Sequence, residues 1–223
     1  MRKIISLLVI TIALTSCTNN KNISEEDKKQ IISELNEIEI LDQKYAGIPP
    51  ADLRELHGYK KAWEIFEHQR DSVAIINQQK IKTLFKKYGY LGERKVGQEA
   101  STSFWLPIQH ADNDVQFQQK MLKAMEKEIK NGSNDKYCYA MLEDRIQVNL
   151  NKPQRFGTQL TYNKNGQAIP KNGLLDSTNI DSLRKEYALP AFKEYYNEMT
   201  KSHFEMNKQM FLDKGITTPQ LYK

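Results

Sequence analysis

The sequence predicts a mainly α-helical, single compact domain that carries a short antiparallel β-hairpin near residues 146–162. Three observations predict it. Apolar residues recur at spacings of three and four through most of the chain, the repeat of one helix face. Mean hydropathy is −0.69, too polar for continuous buried strands, so the core must come from narrow apolar stripes on long helices. After Asp144 the period switches to two, in Arg145-Ile146-Gln147-Val148-Asn149-Leu150, with residues 155–162 as the antiparallel partner and Asn151-Lys152-Pro153 turning between them. A mature chain of about 200 residues fits one domain, which would bury roughly 70% of its unfolded surface.

The chain opens as an export leader. Met1-Arg2-Lys3 is basic, and the run Ile4 to Leu14, broken only by Ser6 and Thr11, is well below the roughly 20 residues a spanning helix needs. Small residues follow in Leu14-Thr15-Ser16-Cys17, the order of a signal segment. Cys17 at the cleavage point resembles the lipidated first residue of bacterial lipoproteins. The expected organisation is therefore a signal peptide over 1–16, a lipidated tether over 17–23, a helical domain over 24–212 and a flexible tail over 213–223. A bilayer reached through acylated Cys17, in the bacterial cell envelope outside the cytoplasm, is the expected partner; which membrane is not encoded.

The net charge of +5 falls by two when Arg2 and Lys3 leave with the leader. The remaining basic residues are dispersed, whereas a nucleic-acid footprint gathers them on one face, so nucleic acid is not expected. Acylation of Cys17 leaves Cys138 as the lone thiol, so no intrachain disulfide can form. No basic neighbour activates that thiol as a nucleophile.

Taken in order, Ser24 reads as an N-cap, and Glu25, Glu26 and Asp27 place negative charge where the first-turn amides favour it. The stripe continues through Ile31, Leu35 and Ile38 to Asp42, whose carboxylate then needs a partner or a wet cleft. Gly47-Ile48-Pro49-Pro50 ends this helix. A second helical stretch runs from about Ala51 to Tyr88 with a break near Gly58; Arg70 and Asn77 interrupt its apolar face. A third spans Gly97 to Gln109, with a kink or end at Pro107. Asn113 or Asp112 is expected to cap the next helix, whose inner face is Phe117, Met121, Ala124, Met125 and Glu128. A fifth occupies about Asp135 to Arg145. Asn163-Lys164-Asn165-Gly166 marks a further turn. Asp181 starts another helix, and Pro190 restarts one with Phe192, Tyr195, Tyr196, Met199, His203, Met206 and Met210 on its inner side.

The segment Trp105-Leu106-Pro107-Ile108-Gln109-His110-Ala111-Asp112-Asn113-Asp114 concentrates polar chemistry at a helix junction. Together with Tyr139-Ala140-Met141-Leu142-x-Asp144-Arg145 and Gln154-x-Phe156-Gly157-Thr158-Gln159, it resembles a bacterial family catalogued only as a domain of unknown function. Asp42-Gln43, the Asp71 to Asn77 segment, Val96-Gly97 and Ile180-Asp181-x-x-Arg184 extend the resemblance over about residues 35 to 200. The resemblance implies a helical domain with a short strand pair and no particular activity.

His110 is the strongest candidate for function, because a neutral imidazole can take and return a proton near neutral pH. Asp112 or Asp144 can accept its ring hydrogen, unless Asp112 is occupied as a helix cap. Arg145 can hold a carboxylate or phosphate through its planar fork, or simply pair with a neighbouring acid. Thr158 and Gln159 can line the mouth of a pocket, with Asp42, Asn77 and Gln109 on its wall. The expectation is that His110, Asp144 and Arg145 converge. Imidazole and carboxylates suit zinc or manganese, but CxxC, HExxH and complete calcium loops are missing, so no metal site is assigned and no cofactor is specified. Two readings follow: a lipid-anchored protein with a polar pocket that binds a small polar ligand or braces the fold, or a hydrolase or transferase with His110 as general base acting on a small polar or acidic substrate.

Overall fold

A computed structural model describes residues 23–223; the expected leader over 1–16, Cys17 and the tether up to residue 22 lie outside the described residues. Ser24 caps α1 (Glu25–Lys44), its hydroxyl accepting the Asp27 amide at 3.1 Å. Ile31, Leu35, Ile38 and Asp42 are the buried face of this helix, so the stripe read from spacing is the stripe that packs. Gly58, at φ +74°, separates α2 (Ala51–His57) from α3 (Tyr59–Tyr88). Among the described residues the middle of the chain continues as α4 (Glu93–Val96), α5 (Gln98–Gln109), α6 (Val115–Lys130) and α7 (Lys136–Asn149). Pro107 sits inside the last turn of α5, which ends two residues later. Pro107 has no amide hydrogen to give the Ser103 carbonyl, so α5 loses one ladder bond in its last turn and stops soon after.

The main core joins Ile31, Leu35 and Ile38 of α1 to Ile81 of α3, Phe104 and Ile108 of α5, and Met121 and Met125 of α6. Leu142 and Ile146 of α7 close it. Each such side chain, fully buried, contributes roughly 1.5–3 kcal/mol. The helix-rich architecture thus matches the expectation from hydropathy and spacing.

The hairpin exists but lies further along the chain than expected. Residues 146–149, read as a strand, are the end of α7, and the strands are β1 (Leu160–Tyr162) and β2 (Ala168–Pro170), antiparallel with Thr161 opposite Ile169. The alternation that suggested a strand has a helical cause. Leu142 and Ile146 form one i,i+4 stripe facing the main core. Ala140, Asp144 and Val148 form a second buried stripe, with Ala140 packed on Phe156 and Leu189. Two stripes offset by two residues, about 200° around a helix, reproduce a period of two. A helix sandwiched between layers therefore imitates a strand.

Asn163 builds the hairpin turn, its side-chain oxygen accepting the Asn165 and Gln167 amides at 2.9 and 3.1 Å. Two helices, α8 (Ile180–Glu186) and α9 (Phe192–Met206), flank this region, and α10 (Lys208–Asp213) follows. The buried face of α9 is Tyr196, Thr200 and Phe204; Met206 and Met210, expected inside, are exposed. Beyond Asp213 the chain has no further helix, yet its end is held: Tyr222 exchanges hydrogen bonds with the Asn197 side chain and donates its hydroxyl to the Ala168 carbonyl at 3.0 Å.

Candidate functional site

Asp42, the carboxylate on the apolar stripe of α1, meets His110 at the C-terminal end of α5. Nδ1 of His110 lies 3.0 and 3.2 Å from the two Asp42 oxygens. A carboxylate only accepts, so Nδ1 carries the hydrogen and Nε2 of the neutral ring holds the lone pair. The Asp42 side chain is 6% exposed and the His110 side chain 35%. The carboxylate is thus the sheltered partner and the imidazole the presented one. Gln43 also donates to Asp42 at 3.1 Å. The expected acceptors of the His110 ring hydrogen were Asp112 and Asp144; the geometry gives Asp42 instead, because both other carboxylates are engaged elsewhere.

Asp112 receives a two-pronged bond from Arg145, with Nε and Nη2 each at 2.7 Å, and a further hydrogen bond from Asn149 at 2.8 Å. Arg145 and Asn149 are one turn apart on α7, which is why both reach the same carboxylate. Gln118 of α6 adds a longer contact at 3.4 Å and donates to the carbonyls of Ile108 and Gln109 at 3.2 Å. The cap of α6 is Asp114, not Asp112 or Asn113: its side chain accepts the Phe117 amide at 2.9 Å and pairs with Lys82 at 2.8 Å. Burial pushes the Asp112 carboxyl upward, but the bonds from Arg145, Asn149 and Gln118 and the charge of Arg145 outweigh it and leave the pKa below the ordinary value.

That direction fixes a pH dependence. A carboxyl with a depressed folded pKa contributes stability that is present above the unfolded value, about 3.9, and lost as pH falls through the folded value. Asp112→Asn should therefore lower stability by about 0.5–1 kcal/mol at neutral pH, the range of a partly exposed pair. The difference from wild type should narrow as pH drops below about 4. Urea melts across pH 3–7 check this; a gap that widens on acidification would contradict the assignment.

Asp144 is fully buried and holds a loop. Its oxygens accept the backbone amides of Arg155, Phe156 and Thr158 at 2.8, 3.1 and 2.8 Å. Burial raises its pKa, and these hydrogen bonds pull against that rise. On the other side of the same loop stands Arg184, 1% exposed. It donates Nη1 to the carbonyls of Phe156 and Gly157 at 2.7 and 3.0 Å and Nε to that of Pro190 at 2.7 Å. Tyr196 donates to the Gly157 carbonyl as well, at 3.0 Å. Gly157 sits at φ +66°, and an added Cβ would come within 2.9 Å of Leu174, so both conformation and crowding require a glycine here.

Gln159 and Gln109 both aim their amides at the Met141 carbonyl, over long contacts of 3.5 Å. Gln159 also donates to the Thr158 hydroxyl at 3.2 Å. Asn77 is buried and donates to the Ile38 carbonyl at 3.2 Å. The candidate residues thus fall into three hydrogen-bonded groups: His110 with Asp42, Arg145 with Asp112, and Asp144 with the Thr158 loop. Asp144 makes no hydrogen bond to His110 or Arg145. Sequence reasoning passed over Gln118, Asn149, Gln154 and Arg184 as site residues. Asn149 had a readable signal, a polar group one turn after Arg145. Gln154, which bonds the carbonyls of Gln159 and Lys171 at 2.6 Å, opens one of the family-like motifs, but nothing there marks it as a loop brace.

Two other chemistries can be placed. Burial pushes the Cys138 thiol up to about 12, which suits a packing residue and not a nucleophile. Among the described residues no group of three or more His, Cys, Asp or Glu side chains is placed to hold a metal.

A helical domain behind a lipid-attachment leader defines a membrane lipoprotein of the bacterial envelope: a prokaryotic membrane lipoprotein lipid attachment site matches residues 1–18. The chain belongs to a family of unknown function, DUF6624, whose model matches residues 57–206. That match includes His110, Asp112, Asp144, Arg145 and Arg184, while Asp42 lies before it. No curated protein and no solved structure matches the chain.

Proposed function

We propose that this is an envelope lipoprotein, acylated on Cys17, whose helical domain binds a small polar ligand at the His110–Asp42 pair. The observation that carries the reading is the asymmetry of that pair: Nδ1 is fixed by a sheltered carboxylate at 3.0 Å, and the ring is one-third exposed. Nε2 makes no hydrogen bond to another described residue, so it can accept one from a ligand. Most other polar motif residues have internal partners: Asp144 and Gln154 hold backbone, and Asp112 holds Arg145. They brace the fold around the exposed imidazole.

The enzymatic alternative rests on the same geometry. An imidazole oriented by a carboxylate through Nδ1 presents Nε2 as a general base toward a water or hydroxyl. Among the described residues no Ser, Thr or Cys side chain hydrogen-bonds to this imidazole, so the hydrolase reading is one in which it activates water.

One experiment separates these readings. Protein is extracted from membranes, its intact mass first establishing a chain that starts at an acylated Cys17. A panel of small polar compounds and esters is then screened by ligand-observed NMR and for turnover. Binding that weakens at least tenfold in both His110→Ala and Asp42→Asn, with unchanged melting temperatures and no turnover, supports the binding domain. Turnover that falls by about 10²–10⁴ in His110→Ala supports the base. Ligands whose affinity ignores both substitutions would overturn the assignment of this pair.

A further inference from the structure

A second polar opening, whose lining does not include His110 or Asp42, lies where the loop held by Asp144 meets α8 and α9. Tyr137, Met141, Thr158, Leu189 and Tyr195 surround Arg184 in a cleft of about 50 Å³. A water needs roughly 10–15 Å³ by this measure, so the cleft has room for a few waters or one small headgroup. Typical sites for larger organic ligands occupy ~300–1,000 Å³.

The donor inventory of Arg184 is informative. A guanidinium carries five N–H groups, one on Nε and two on each terminal nitrogen. The carbonyls of Pro190, Phe156 and Gly157 take the Nε hydrogen and both on Nη1. Nη2 has no hydrogen-bond partner among the described residues, although the side chain is 99% out of solvent. No carboxylate of the described residues lies within ion-pair distance either. A buried cation with an unused pair of donors, lining a small cleft, is built to receive an oxygen acceptor. Tyr195 adds a hydroxyl whose one hydrogen bond among the described residues, to the Thr158 carbonyl, is a long 3.4 Å, and its ring centre lies 5.1 Å from the guanidinium carbon.

We infer that the Arg184 cleft is a binding site for a small monocarboxylate, held by Nη2 of Arg184 and the Tyr195 hydroxyl. The charge is selected by the surroundings. Asp144 already stands behind the Phe156–Thr158 backbone, so a dianion such as phosphate meets about twice the repulsion that a monoanion meets. The apolar walls of Met141 and Leu189 suit a short aliphatic tail, and the volume rejects a long one. This site is independent of the His110 pair and stands or falls separately from it.

The test uses the full lipidated protein in detergent micelles, with acetate as the probe and the Arg184 Nε–Hε resonance as the readout. Acetate should shift that resonance saturably in the millimolar range; acetamide and phosphate, at matched ionic strength, should not. Benzoate, too large for the cleft, should leave it unchanged. Arg184 also braces the loop, so its replacement confounds binding with folding. Tyr195→Phe removes only a hydroxyl and should weaken acetate at least threefold at an unchanged melting temperature. An equal response to acetamide would overturn the proposal in favour of a neutral acceptor, and no saturable acetate shift would overturn it outright. Phosphate binding as tightly as acetate would overturn the choice of a monoanion, and benzoate doing so would overturn the short-acid assignment. An acetate affinity indifferent to Tyr195→Phe would remove the hydroxyl from the site.

Discussion

Replacing Asp144 by Ala should lower stability by about 3–5 kcal/mol, because three buried loop amides lose their acceptor at about 1–3 kcal/mol each. The reason lies in what the carboxylate holds. Three amides of the 155–158 loop point at its two oxygens, and the loop is packed over α7 where water cannot replace it. Each buried donor left without an acceptor costs about 1–3 kcal/mol. The variant also leaves the Arg184 cation without the nearest compensating charge. Asp144→Asn should cost less, since one oxygen still accepts, but its amide nitrogen then faces a donor. Urea melts give the numbers, with an unchanged slope marking unchanged compactness. A loss under about 1 kcal/mol would mean that the loop amides find other partners in the folded protein.

The same residue shows what one-dimensional reading can and cannot reach. Ser24, Ile31, Leu35, Ile38 and Asp42 were legible because a helix face is a local property, set by spacing within two turns. Gly58, Pro107 and the Asn163 turn were legible for the same reason: each acts on its own backbone. The stretch 145–150 misled because alternation was taken as the mark of one exposed and one buried strand face. It belongs to a helix buried on two sides, and only the packing of both layers reveals that. The true strands are three residues each, too short to announce a period.

The site was legible in kind and illegible in pairing. Asp42 was recognisable as a carboxylate in need of a partner, and His110 as an imidazole in need of an orienting group. Sixty-eight residues separate them, and no pattern in the sequence states that α1 and the end of α5 meet. Asp112, nearer in sequence, is drawn off by Arg145 and Asn149. Arg184 stands in one of the family-like motifs, but its burial is not legible there, because an arginine at a helix end usually reads as solvated surface. Its burial follows from carbonyls contributed by Phe156, Gly157 and Pro190, segments whose positions only the fold determines.

Arg184→Met should be nearly as damaging as Asp144→Ala, at about 3–5 kcal/mol, because backbone carbonyls buried around it lose charge-assisted hydrogen bonds worth about 1.5–3 kcal/mol each, although methionine fills much of the same volume. The carbonyls of Phe156 and of Pro190, at the start of the α9 segment, lose this donor at once, and that of Gly157 in the loop is left with Tyr196 alone. Asp144 and Arg184 never touch, yet they grip opposite sides of one peptide segment: the carboxylate its N–H groups, the guanidinium its C=O groups. Either grip alone orients the loop for the other. Removing the first therefore weakens what the second has left to hold, and the two losses should not add. The double variant should be less destabilised than the sum by at least ~1 kcal/mol, within the range for residues in one network. Tyr196→Phe, which removes a hydroxyl from the same Gly157 carbonyl, should couple to Arg184→Met as well. His110→Ala, paired with Asp42 and outside this network, should be additive with Arg184→Met. Denaturant melts of the singles and doubles measure all these terms. Additivity between Asp144 and Arg184 would mean that the loop keeps its conformation when either is lost, and that its shape is set by Gly157 and the packing of Phe156 instead.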